Sequence, residues 1–138
     1  MALQYGATLR TAQCDAIAST VAASALLRLY SGSAPADCAT GPSGTLLCEM
    51  ALPATWMAAA ANGVVAKTGT WSGTGAAGAG GGTNAGYWRL YNNAGTVCHA
   101  QGNVTASGGG GDMTLDNISI AQNQTVTINS FQITAGNA

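Results

Sequence analysis

Apolar residues recur along this chain with two different periods, and the change from one to the other falls near Ala25. Before it, Leu9, Ala12, Ala16, Ile17 and Val21 follow helical spacing, Thr8 or Thr11 can cap the segment, and its alanines favour helix. The pattern predicts a short N-terminal helix over about residues 8–24. After it the period becomes two. In Leu27-Arg28-Leu29-Tyr30 the leucines share one face of a strand and Arg28 and Tyr30 the other. A loop from Ser31 to Gly44 carries Pro35 and Pro42, which stop any regular element, and a second strand follows over Thr45–Leu52, ended by Pro53.

Farther along, Trp56–Ala61 and Val64–Thr68 flank Asn62-Gly63, a dipeptide that tolerates the positive φ of tight hairpin turns, although a bend within one long edge fits the same residues. Gly86–Asn92 and Thr96–Val104 read as a hairpin turned by Asn93-Ala94-Gly95. Apolar parity then flips twice, between Met113/Leu115 and Ile118/Ile120 and between Val126/Ile128 and Phe131/Ile133, which predicts bulges or bends. Two Gly-rich stretches, about 72–86 and 106–111, carry almost nothing to bury and are expected as loops, the first of them long and mobile. Seven or eight short strands in one 138-residue domain point to an all-β fold, an antiparallel, jelly-roll-like β-sandwich with an N-terminal helix.

Composition changes this picture chiefly by exclusion. Hydrophobic residues make up 47% of the chain and charged residues only 7%, against roughly a quarter in ordinary soluble domains, so Ser, Thr, Asn, Gln, Gly and Ala must form most of the surface. Arg10, Arg28, Lys67 and Arg89 are scattered singly, which leaves no basic patch for nucleic acid or an anionic membrane surface. The Ala/Ser-rich run Ala16–Leu29 is too short and too weakly apolar to span a bilayer, and no signal peptide is read at the start. Cys14, Cys38, Cys48 and Cys98 would permit two disulfides, but with no export signal four free thiols are the preferred reading.

Candidate chemistry is sparse. Gly73-Thr74-Gly75-Ala76-Ala77-Gly78 has the spacing of a dinucleotide-binding loop but leads into more glycine rather than a helix, and no acid follows at the required distance. His99, the one imidazole, sits next to Cys98, yet neighbours on a strand point to opposite faces. The cysteines contain no closely spaced zinc-ligand pair. Asp112 and Asp116 lie roughly 13 Å apart on extended chain, too far for a paired-carboxylate hydrolase unless a bend folds them together. Asn103, Asn117 and Asn123 begin glycosylation-type triplets that chance explains in a chain this rich in Asn and Thr. No catalytic residue, metal ligand or cofactor site is therefore expected.

Interface candidates are more informative. Arg28, Glu49 and Arg89 each sit within a strand opposite an apolar stripe, and Glu49 is expected to pair with one of the arginines across strands or across a subunit boundary, because an ion buried alone costs several kcal/mol. Tyr5, Trp56 and Trp71 are the aromatic contact candidates. Trp56 and Trp71 are expected partly exposed, with packing under the glycine loop as the alternative, and Trp88 as core.

The phrases Ala25-Leu26-Leu27-Arg28-Leu29-Tyr30-Ser31-Gly32, Gly44-Thr45-Leu46-Leu47 and Gly86-Tyr87-Trp88-Arg89-Leu90-Tyr91, with the closing segment Asn117–Thr134, resemble small virion proteins of tailed bacteriophages. The resemblance is greatest to capsid cement or decoration proteins. It implies a β-sandwich gripping the outer surface of a major capsid protein lattice, as a homo-oligomer (dimer or trimer) on the virion exterior, made in the bacterial host cytoplasm. Its rival within the same class is a tail- or fibre-associated module that binds host-surface carbohydrate.

Overall fold

Helix α1 spans Ala7–Val21 in the computed structural model, which describes all 138 residues, and it meets the rest of the chain on a different face from the expected one. Cys14 and Val21 are buried and Arg10, Thr11 and Ile17 half-buried, whereas Leu9, Ala12 and Ala16 are exposed. The reason is polar docking. Arg10 donates to Ala135 O at 3.0 Å, Cys14 Sγ to Gly63 O at 3.3 Å, Gly63 N to Thr11 Oγ1 and Ala60 N to Asp15 Oδ1. Apolar spacing could not locate a face held by hydrogen bonds. Thr11, read as a possible cap, serves this docking instead, and the helix starts at Gly6 with no side-chain cap.

The strands build one large sheet around β1 (Leu26–Ser31), with β2 (Leu46–Ala51) antiparallel on one side and β5 (Thr83–Tyr91) antiparallel on the other. Beyond β2 come β4 (Trp71–Gly75) and β9 (Thr125–Ile128). Beyond β5 come β6 (Cys98–Ala106) and, in parallel, β7 (Met113–Leu115). A two-residue strand, β8 (Ser119–Ile120), pairs with the start of β5. The two outer strands β7 and β9 touch, so the sheet is nearly closed and barrel-like. β3 (Val64–Ala66) and β10 (Gln132–Thr134) form a separate two-stranded sheet under α1. The fold is thus mostly β with one helix.

Alternation explains the wall. Leu27, Leu29, Met50, Trp88 and Leu90 point into a continuous core of 24 buried residues, because period-two spacing puts them on the same face of paired strands. An aromatic chain crosses that core: Trp56 lies 6.1 Å from Trp71, Trp71 5.7 Å from Phe131, and Phe131 meets Trp88 edge-on at 5.4 Å. Asn62 and Gly63 adopt φ of 51° and 75°, the turn expected of that dipeptide, and bridges Met57–Lys67 and Ala61–Val64 flank it. The two parity flips are breaks rather than bulges. β7 joins β6 while β8 joins β5, and β9 joins the large sheet while β10 joins the small one. Each change of face is a change of neighbour.

The stretch 72–86 departs from expectation. It contains most of β4, a single 3-10 turn at Ala77–Ala79 and the first residues of β5. Trp71 anchors its start, and β2 and β9 hydrogen-bond β4 from both sides, so the ladder supplies the order that its side chains cannot. The second stretch, 106–111, is the exposed turn expected of it, apart from Ala106 at the end of β6.

Candidate functional site

Two features of the surface could carry function, and both grow out of β5 and β6. The first is the outer face of β1, β2 and β5. Cross-strand register sets Arg28 opposite Glu49 on one side and opposite Arg89 on the other. Two like charges facing each other destabilise a sheet, and the chain separates them. Arg28 turns to Glu49, with Nε to Oε2 at 2.6 Å, and lies 4.5 Å above the Tyr91 ring. Arg89 rises the other way into the loop of residues 32–44, donating from Nη2 to Asp37 O at 3.1 Å and Thr40 O at 2.8 Å. Beside them Tyr30 and Tyr87 stack at 5.1 Å, and burial, together with Tyr91, pushes the Tyr30 phenol up to about 12.

The loop over this face is fastened at several points. Tyr87 Oη accepts from Ser43 N and donates to Ser43 O, Gln101 Nε2 donates to Pro35 O at 2.7 Å, and Cys98 Sγ lies 2.6 Å from Cys38 Sγ. Within the loop, Thr40 gives its N–H and its hydroxyl to Asp37, which holds that carboxyl below its usual range. Arg89 is 1% exposed beneath this cover. It therefore clamps the loop and cannot reach a partner, which corrects its reading as an interface residue.

Trp56 and Trp71 need the same correction. They are 2% and 1% exposed, and their indole N–H groups are satisfied internally by Ala22 O and Thr68 O. Packing inside the barrel, not exposure beside a loop, is what the residues between Pro53 and Ser72 provide. Arg28 and Glu49 keep partial exposure as a cross-strand pair within the chain. Tyr5 is half-buried ahead of α1, where its N–H meets Asn137 O.

The second feature is a groove of about 680 Å³ between α1 and the β5–β6 hairpin. Ile17, Val21, Leu90 and Phe131 supply apolar walls, and His99, Gln101 and Asp112 polar ones. Beside it, Gly102 lets the Trp88 indole and Asp112 pack directly against the β6 backbone. A Cβ there would stand 2.6 Å from Asp112 Oδ2 and 2.8 Å from Trp88 Nε1. That indole N–H is buried with no hydrogen-bond partner, a costly state for a donor. Nothing in the sequence pattern marked this close approach, since Trp88 read only as core and Asp112 only as an acid too far from Asp116 to pair with it.

The other chemical candidates stay apart. His99 is exposed and Cys98 half-buried beside Cys38. Asp112 Oδ2 accepts from Asn103 N while Asp116 accepts from Ser107 Oγ and Asn129 Nδ2, so the two acids serve different turns. Gly73–Gly78 is β4 and the start of the 3-10 turn. No helix is long and apolar enough to cross a membrane. No family model, curated protein or solved structure matches this chain.

All nine charged side chains are tied into the fold. Besides Arg28, Glu49, Arg89, Asp37, Asp112 and Asp116, Arg10 binds Ala135 O, Lys67 Nζ donates to Gly69 O at 2.8 Å, and Asp15 accepts from Ala60 N. Of the nine only Arg89 is buried, and the five carboxylates stay exposed, so the surface carries few charges rather than none. The large apolar side chains left exposed are Met1, Leu3 and Leu9 around the start of α1, and Val97 in the β5–β6 turn.

Proposed function

We propose that this chain is a non-catalytic structural module of a bacteriophage virion, a capsid cement or decoration protein. It docks as a homo-oligomer on the outer surface of the major capsid protein lattice and stabilises the head. The observation that carries this reading is a surface with few charges, nine charged side chains in 138 residues, beside the exposed apolar Leu3 and Leu9 near the start of α1. A sparsely charged surface with a net charge of −1 gives weak protection against association, which suits a protein held by neighbours. Leu3 and Leu9 are the side chains we assign to the contact, and a jelly-roll-like sandwich is the architecture the reading implies.

Co-sedimentation with empty capsids tests it. Stoichiometric binding is expected, and it should persist at about 1 M NaCl, where exposed charge pairs are screened within roughly 3 Å. Leu9→Glu should abolish binding while moving stability by no more than about 0.5 kcal/mol, because Leu9 packs on little. No sedimentation, or sedimentation that salt removes, overturns the reading.

One observation favours a second reading, a tail- or fibre-associated module binding host-surface carbohydrate. Sugars present hydroxyls and apolar ring faces together, and the groove beside α1 sets Gln101 and Asp112 next to the apolar Leu90 and Phe131. Glycan-array binding that Asp112→Asn weakens, with no capsid binding, would put this reading first.

A further inference from the structure

Four cysteines allow three ways of forming two disulfides, and the fold separates them into two kinds. Cys14 and Cys48 are 1% and 0% exposed and lie in the core. Cys14 Sγ faces the carbonyls of Gly63 and Ile133, and burial pushes the Cys48 thiol up to about 11, so both are inert by access and Cys48 by protonation as well. Cys38 and Cys98 are half-buried at the surface, far apart in sequence, with sulfurs 2.6 Å apart, inside the nonbonded contact distance of two sulfurs.

That meeting does not depend on the sulfurs. The loop carrying Cys38 is fixed on both sides of it by Gln101 to Pro35 O, by Arg89 to Asp37 O and Thr40 O, and by Tyr87 to Ser43. Cys98 begins β6, where a register shift in the β5–β6 ladder pairs it with Tyr91 and sets it on the outer face beneath the loop. Buried Arg89, which holds Asp37 O and Thr40 O on either side of Cys38 in the chain, is a cation that cannot leave.

We infer that Cys38 and Cys98 are a thiol–disulfide modification site, whose oxidation welds the loop of residues 32–44 to β6. A small-molecule disulfide such as oxidised glutathione is the oxidant. Cys38, as thiolate, attacks one of its sulfurs, forming a mixed disulfide, and the first glutathione leaves with the proton that Cys38 lost. Cys98 then gives its proton to the second departing glutathione as its sulfur attacks Cys38 Sγ. Two protein thiols are oxidised and one disulfide is reduced to two thiols. The order follows from Cys98, whose thiol is pushed up to about 12 by burial and by its Cys38 neighbour, so that it keeps its proton until the second step.

The inference is independent of the docking reading, since its test needs no partner. Purified protein is incubated with oxidised glutathione, alkylated, digested and analysed by mass spectrometry, with a parallel thermal melt. A linked peptide pair containing Cys38 and Cys98 is expected, with Cys14 and Cys48 unmodified. Closing a loop of that length should raise Tm on the order of 10 °C, reversibly on reduction. Cys38→Ser and Cys98→Ser should each abolish the shift, while Cys14→Ala should keep it on a lower baseline. Persistent glutathione adducts, disulfides between chains, or Cys38 and Cys98 still open to alkylation after oxidation would overturn it.

Discussion

Residues 72–86 and residues 106–111 share a composition of Gly, Ala, Ser and Thr, yet the first runs through the barrel wall while the second stays at the surface as a turn. The glycines show why. In the first stretch they mark close approach: a Cβ on Gly75 would strike the carbonyl oxygen of Ala121, one on Gly86 that of Gly32, and one on Gly73 would stand 2.7 Å from Glu49 O. In the second, a Cβ on Gly108 or Gly110 meets nothing within 4 Å, and one on Gly109 or Gly111 meets chiefly the Thr105 side chain at 2.8 Å. Glycine in the wall lets backbones touch, whereas glycine in the turn lets one backbone bend. Composition is blind to that difference.

The largest test of the comparison is Gly75→Ala or Gly86→Ala. Each forces a methyl group against a backbone carbonyl that cannot rotate away, unlike the end of a flexible side chain. A loss of about 3 kcal/mol is expected, at the upper end of ordinary overpacking, with Tm falling on the order of 10 °C. Either variant melting within 2 °C or so of the parent would show that the wall is looser than drawn. Gly73→Ala should come next, at about 1–2 kcal/mol. Met50 Cγ, at 2.8 Å from the new Cβ, can change rotamer, but Glu49 O can give way only slightly. Urea titration separates the two cases, since m should stay constant while the midpoint moves.

The same contrast shows what was legible in the sequence. Strands with their own alternating pattern, such as Leu26–Ser31 and Leu46–Ala51, were readable because each carries both its inward stripe and its outward polar set. β4 was not, because its order comes from β2 and β9, and only Trp71 at its head hinted at burial. The helix was readable as a helix from its alanines, but its buried face was set by Arg10, Thr11, Cys14 and Asp15 reaching backbone groups of distant segments. At the candidate site, pairing of Glu49 with an arginine could be anticipated from position within strands. The selection of Arg28 over Arg89 could not, since it required knowing that the two arginines face each other. The Cys38–Cys98 pair and the close approach of Trp88 and Asp112 to Gly102 are tertiary coincidences with no local signature.

The smallest effect, and the one that isolates backbone conformation from packing, belongs to Gly108. Its φ of +86° is a region that residues with a Cβ seldom adopt, and open space surrounds it, so steric clash with neighbours plays no part. Gly108→Ala should cost about 1 kcal/mol, from the left-handed backbone alone. Gly108→Asn should cost less than that, because Asn tolerates positive φ, as Asn62 and Asn123 do in this chain. Matched thermal melts of the two variants against the parent measure the difference. If Ala and Asn are equally costly, packing rather than φ governs the turn, and the distinction between the two glycine stretches collapses; if Asn is tolerated while Gly75→Ala is not, wall and turn use glycine for different physical reasons.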